Sequence, residues 1–154
     1  MGFFSEGMSV KEIREATWQL LHEELEWEAG EDFGLDEDDN ITIMRNDDGD
    51  KYIGRLQFYE SDDGDVVVNV LSPVVKIPVE NPVGFYRRLL EWNLELPPQL
   101  RVGVNDDTVV LECEILSEHL VVQELNYIIT TVLAQATSSR PTFIREFGAR
   151  SIEE

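Results

Sequence analysis

An α+β fold, an antiparallel sheet with helices packed on it, is predicted by three features of this sequence. Short segments rich in β-branched residues are separated by Asp-Gly turns, which is hairpin chemistry. Flanking segments carry apolar residues at helical spacing. The strands come in runs instead of alternating singly with helices, which argues against a parallel α/β sheet. The expected order is α-β-β-β-α-β-β-α in a chain of 154 residues, one ordinary domain's worth.

The first helix opens at Ser9, where Ser9-Val10-Lys11-Glu12 has capping-box spacing. Val10, Ile13, Thr17, Leu20, Leu21 and Leu25 form its apolar face, and Ala29-Gly30 is the expected stop. An acidic connector covers residues 31–40. Ile41–Arg45, Tyr52–Tyr59 and Asp65–Leu71 are the first three strands, joined at Asp48-Gly49 and Asp63-Gly64. Along the second strand Leu56 and Phe58 point one way while Arg55 and Gln57 point the other.

Asn81-Pro82 opens the second helix, with Asn as cap and Pro at the first helical position. That helix runs to about Leu94, before Pro97-Pro98. Leu100–Val104 and Val109–Ile115 form a hairpin around Asn105-Asp106-Asp107. Ser117 is expected to cap a third helix that ends near residues 136–139. Phe143, Ile144 and Phe147 then belong to a last short helix. The domain is read over residues 9–139, with residues 1–8 as a frayed start and 140–154 as a tail.

Composition excludes several function classes. Thirty-two Asp and Glu against twelve Lys and Arg give a formal net charge of −20. Such a field repels nucleic acid and anionic lipid, and no basic cluster beyond Arg87-Arg88 offsets it. The acidity serves solubility, attraction of a basic partner, or life in a salt-rich cell; three lysines against nine arginines suit the last. No run of eighteen apolar residues is present to span a membrane, and no secretory pattern opens the chain. A single cysteine, Cys113, suits a reducing cytoplasm, the expected location.

No catalytic, cofactor or metal site is expected. Cys113 and His119 lie six residues apart and invite comparison with a nucleophile and its base. Cys113, however, shares a strand face with Val109, Leu111 and Ile115, which reads as core. His119 falls in the first turn of the expected helix, a poor place for an imidazolium. His22 stands beside Glu23 and Glu24 with no second histidine at ligand spacing, so a solvated helix face is the reading. Asp36, Asp38 and Asn40 match the first, third and fifth places of a calcium loop. Ile41 stands where that loop needs Gly and Asp47 where it needs Glu, which defeats the motif. Thirteen acids crowd residues 31–65, so the nearness of any two singles out no acid–base pair.

The remaining signal is apolar surplus on the second helix. Phe85, Leu89 and Trp92 make one stripe at 3–4 spacing. Tyr86, Leu90 and Leu94 make another, offset by about 100°. Either both belong to one wide core face, or the second faces a partner.

The stretch Phe85-Tyr86-Arg87-Arg88-Leu89-Leu90-Glu91-Trp92-Asn93, the hairpin through Asn105-Asp106-Asp107 and the long apolar helix after it resemble two related groups. These are the YbjN family of bacterial proteins and the type III secretion chaperone-like (CesT-like) fold. The likeness spans roughly residues 9–137. It implies a cytoplasmic homodimer without cofactor that binds a client protein, either as a chaperone or as a regulator of sensory or stress responses. It also implies pairing through the second helix and following strands, here Asn81 to Ile115. Tyr86, Arg87, Leu90 and Leu94 are the candidate interface residues, with Arg87 or Arg88 facing acids opposite. The leading expectation is thus a non-catalytic protein-binding module; the alternative is a structural or assembly subunit of a fixed complex.

Overall fold

The computed structural model describes residue 4 and residues 7–153, with His119 described by its backbone alone. The expected frayed start therefore lies largely outside the described residues, although Phe4 is buried in the core. Three helices and six strands follow one another as α1 (Val10–Glu23), β1 (Phe33–Leu35), β2 (Ile41–Asp47), β3 (Asp50–Glu60), β4 (Val66–Lys76), α2 (Pro82–Glu95), β5 (Arg101–Asn105), β6 (Thr108–Leu116) and α3 (Val122–Phe147). All strand pairs are antiparallel, in the order β1-β2-β3-β4-β6-β5. The α+β architecture is the one expected, with one strand more than the sequence reading supplied.

Local chemistry explains most boundaries. The capping box at α1 is complete: Glu12 N–H donates to Ser9 Oγ, and Ser9 N–H donates to Glu12 Oε1, both at 3.2 Å. The helix stops at Glu23, before the expected Gly30, because Glu26 takes a left-handed conformation with φ 57°. Trp27 N–H then reaches back to the Leu21 carbonyl at 3.0 Å and its ring is buried. The β2–β3 turn has positive φ at both Asp48 and Gly49, the geometry that matches strand twist in a two-residue hairpin.

The extra strand β1 sits inside the stretch expected to be an acidic connector. Phe33 pairs with Ile43 and its ring meets Trp18 of α1 edge-on, 4.5 Å between centroids. Three residues are too few for alternation to announce a strand. Strand β4 likewise runs five residues past Leu71, through Pro73 and a bulge at Pro73/Val75. Proline is tolerated there because β3 no longer pairs with that part of β4. The carbonyls left over are met by Arg140, which donates to Pro73 O at 2.8 Å, Val74 O at 3.1 Å and Lys51 O at 2.6 Å.

Three expectations about helix ends are corrected. Asn81 has φ 50° and its side chain makes no capping hydrogen bond; Asn tolerates the left-handed region, and Pro82 alone marks the start. Ser117 begins a 3-10 turn to His119 instead of capping α3. That turn drives Leu120 into the core, and α3 starts at Val122. Helix α3 also continues through Pro141 to Phe147 instead of stopping near 136–139. The Thr-Ser-Ser-Arg-Pro run looks like a stop locally, but Phe143 is buried against Phe85 and Trp92, with ring centroids at 5.7 and 5.2 Å. Packing holds the helix across its proline.

All three helices lie on one face of the sheet. That face presents Ile41, Ile43, Leu56, Val68, Val70, Leu111 and Cys113 to them, all buried. Gly54 lets α3 come close: a Cβ there would stand 2.8 Å from Leu133 Cδ2 and 3.2 Å from the Leu71 carbonyl. The opposite face is the one on which Arg55, Gln57 and Tyr59 lie, as the alternation requires.

Candidate protein-binding interface

Helix α2 packs against β5 and α3 with Phe85, Leu89 and Trp92 inward, all buried. At 100° per residue, Tyr86, Leu90, Val83 and Leu94 fall together on the flank turned away from that stripe. They are exposed: Val83 73%, Tyr86 41%, Leu90 68% and Leu94 90%. The sequence left open whether the two stripes form one wide core face. They do not; the second is on the surface. Val83 extends the stripe by one turn and was legible in the same spacing, three residues before Tyr86.

The other flank of α2 is charged and internally paired. Arg87 Nε lies 3.3 Å from Glu91 Oε1, and Arg88 makes a two-pronged contact with Glu95 at 3.0 and 3.1 Å. The Glu95 hydrogen bond raises the Arg88 pKa, and the same bond lowers that of Glu95. Arg87 and Arg88 thus already have acidic partners on their own helix.

On the strand side, Asn93 of α2 accepts from the Val102 N–H of β5 through Oδ1 at 2.7 Å. Val104, on the same strand, is 48% exposed. Its exposure beside α2 gave no sequence signal, because it alternates like a core residue. The exposed stripe therefore stands on a helix that packs against the outermost strand of the sheet.

The open sheet face is different in kind. Arg101 bridges Glu112 at 2.7 Å and Glu114 at 3.2 Å, Tyr59 donates to Glu114, and Asn69 Nδ2 donates to Glu112 Oε2 at 3.1 Å. Burial, then the Glu114 hydrogen bond, pushes the Tyr59 hydroxyl up to about 12. These charges satisfy one another.

The remaining candidates are absorbed by structure. Cys113 is buried, and burial, followed by the charge of Glu124, pushes its thiol up to about 11, which keeps it protonated at neutral pH. The side chain of His119 lies outside the described residues. His22 Nδ1 lies 3.3 Å from the Trp27 carbonyl and so tethers the turn after α1. Asp36 Oδ1 accepts from the backbone N–H groups of Asp38 and Asn40, both at 2.9 Å, so it organises the β1–β2 turn. Partial burial alone raises the pKa of its carboxyl, but these two bonds and Arg55 outweigh it and leave that pKa lowered. Among the described residues no group of three His, Cys, Asp or Glu is placed to hold a metal ion. No helix among them is long and apolar enough to cross a membrane.

The sequence matches the model of the Tir chaperone protein (CesT) family over residues 31–140, more than two thirds of the chain. The chain belongs to the Tir chaperone protein (CesT) family. The match covers the sheet, α2 and most of α3, and so includes the exposed stripe. Two solved structures share the fold. One is the heterodimeric complex ExoU–SpcU from the type III secretion system of Pseudomonas aeruginosa: TM-score 0.52, 15% identity, covering 80% of this chain and 93% of that one. The other is the ExsC–ExsE complex: TM-score 0.51, 17% identity, covering 70% of this chain and 78% of that one. No curated protein is similar enough in sequence to count as a relative. Of the two groups the sequence resembles, the family match falls on the secretion chaperones.

Proposed function

We propose that this CesT-family chain is a chaperone-like binding module that pairs with a second copy through the outer face of α2 and holds a client protein. The observation that carries the pairing is the exposed stripe Val83, Tyr86, Leu90 and Leu94 on a helix whose inner stripe is already buried. Fully burying a side chain of this size is worth roughly 1.5–3 kcal/mol, so leaving four in water favours a partner surface. A twofold contact sets the stripe against its own copy. Each copy carries −20, so the centre of the contact has to be apolar, as this stripe is. Arg88, paired with Glu95, sits on the opposite flank, while Arg87, paired with Glu91, falls by helical spacing at the edge of the stripe, so charge stands at the rim of the contact and not at its centre.

The client-binding half rests on family membership and on the company the fold keeps: both structural neighbours were solved as complexes of two differently named proteins. The chemistry supports a binding role because the candidate nucleophile is buried and protonated. Affinity capture of the tagged chain from its native cell tests the reading. Several partly folded clients are expected. One partner at fixed stoichiometry would overturn the chaperone reading in favour of an assembly subunit.

A further inference from the structure

The edge strand β5 poses a problem that an exposed apolar residue makes worse. An edge strand offers unpaired N–H and C=O groups to any other strand, and an exposed apolar residue increases the hazard. Val104, on β5 itself, is such a residue at 48% exposed.

The register shows which groups are on offer. Strands β5 and β6 are joined by Asp106-Asp107, so the pair that closes this two-residue hairpin, Asn105 with Thr108, is hydrogen-bonded. Alternation makes Gly103–Val110 and Arg101–Glu112 hydrogen-bonded as well. Val102 and Val104 therefore turn their N–H and C=O groups outward. Asn93 Oδ1 meets the first of these outward donors at 2.7 Å, across the α2–β5 contact. Among the described residues, Val104 N–H has no side-chain acceptor of this kind.

We infer that Asn93 guards the β5 edge: it occupies the Val102 N–H so that no other strand pairs main chain to main chain along β5. With that donor taken, an incoming strand finds one open outward donor instead of two, too short a run to hold it. The α2–β5 surface then admits partners through side chains and refuses strand addition. Asn is a mediocre helix former, yet it stands in the penultimate position but one of α2 between Trp92 and Leu94. Its amide oxygen has the reach and direction for this contact that an alanine or leucine lacks. The inference depends only on the strand and the helix, and it holds for a monomer as for a dimer.

Amide hydrogen exchange by NMR on the whole chain tests it. In the parent, Val102 N–H exchanges on the order of tenfold more slowly than Val104 N–H, the effect of one hydrogen bond on an otherwise open edge. Asn93→Ala brings Val102 to the rate of Val104 and adds species larger than the parent in light scattering. Asn93→Asp retains an acceptor oxygen and keeps Val102 slow. A Val102 amide that exchanges as fast as an open Val104 in the parent would overturn the inference without any variant being made. So would a Val104 amide as protected as Val102, because another strand would then already be paired there. An Asn93→Ala chain with parental exchange and parental mass would overturn it as well.

Discussion

Helix α2 carries two apolar stripes of similar composition with opposite fates. Phe85, Leu89 and Trp92 are locked against α3 and the sheet, whereas Val83, Tyr86, Leu90 and Leu94 face water. Residue type does not separate them, since each stripe holds a leucine and an aromatic ring. What separates them is what stands opposite. The inner stripe meets Phe143 and Phe147 of α3, with Phe85 ring contacts at 5.7 and 6.0 Å, whereas the outer stripe stays exposed even where Tyr86 nears the Phe85 ring at 6.2 Å. An apolar face that its own chain covers is core, and one left this exposed is a candidate interface.

Paired substitutions put numbers on this contrast. Phe85→Ala removes a fully buried ring and is expected to lower the unfolding free energy by about 3–5 kcal/mol. Leu90→Ala on the outer stripe is expected to change it by no more than about 0.5 kcal/mol in dilute monomer. Urea unfolding measures both, and similar losses would erase the distinction. Next in size is Arg140→Ala, which strips donors from the Lys51, Pro73 and Val74 carbonyls at the β4 overhang. A loss of about 1–3 kcal/mol is expected, and Arg140→Lys should not restore it, because an ammonium lacks the planar fork. Unchanged stability in the alanine variant would mean that water serves those carbonyls equally well.

Smaller effects come from charge. With a net −20, self-repulsion opposes the compact state, and salt shortens its range to about 8 Å at physiological ionic strength. The melting temperature should therefore rise from very low to moderate salt. A fall would mean that pairs such as Arg101 with Glu112 outweigh the repulsion. The smallest effect belongs to Tyr59, whose hydroxyl ionises at about 12 in the fold and at about 10 when unfolded. The stability it confers is complete below about pH 10 and is lost as pH rises toward 12. Tyr59→Phe should flatten that part of the pH profile, and an unaltered profile would show that Tyr59 has no share in it.

Much of this fold could be read from the chain, because its signals are local. The Ser9–Glu12 capping box, the Asp48-Gly49 turn and the alternation through Leu56 and Phe58 each declare themselves within a few residues. The failures have distant causes. The 26-residue α3 crosses Pro141 because Phe143 packs on Phe85, 58 positions earlier in the chain. Strand β1 exists because Phe33 finds Trp18 and Ile43. On α2, spacing revealed two stripes but not which one the core takes, since that depends on where α3 lies. Asn93 stood in the stretch that carries the family resemblance, yet its contact with β5 became visible only when the Val102 N–H was found 2.7 Å from its Oδ1.

Light scattering of the parent beside Leu90→Asp, each paired with a thermal melt, bears on the outer stripe itself. Leu90 is 68% exposed, so a carboxylate there costs the monomer little and the variant should melt where the monomer melts. Placed at the centre of a twofold contact, the same carboxylate faces its own copy across an apolar surface. The proposal requires a parent with the mass of a dimer and a folded Leu90→Asp with the mass of a monomer. A parent that is monomeric at micromolar concentration, or a Leu90→Asp chain that remains a dimer, would contradict it.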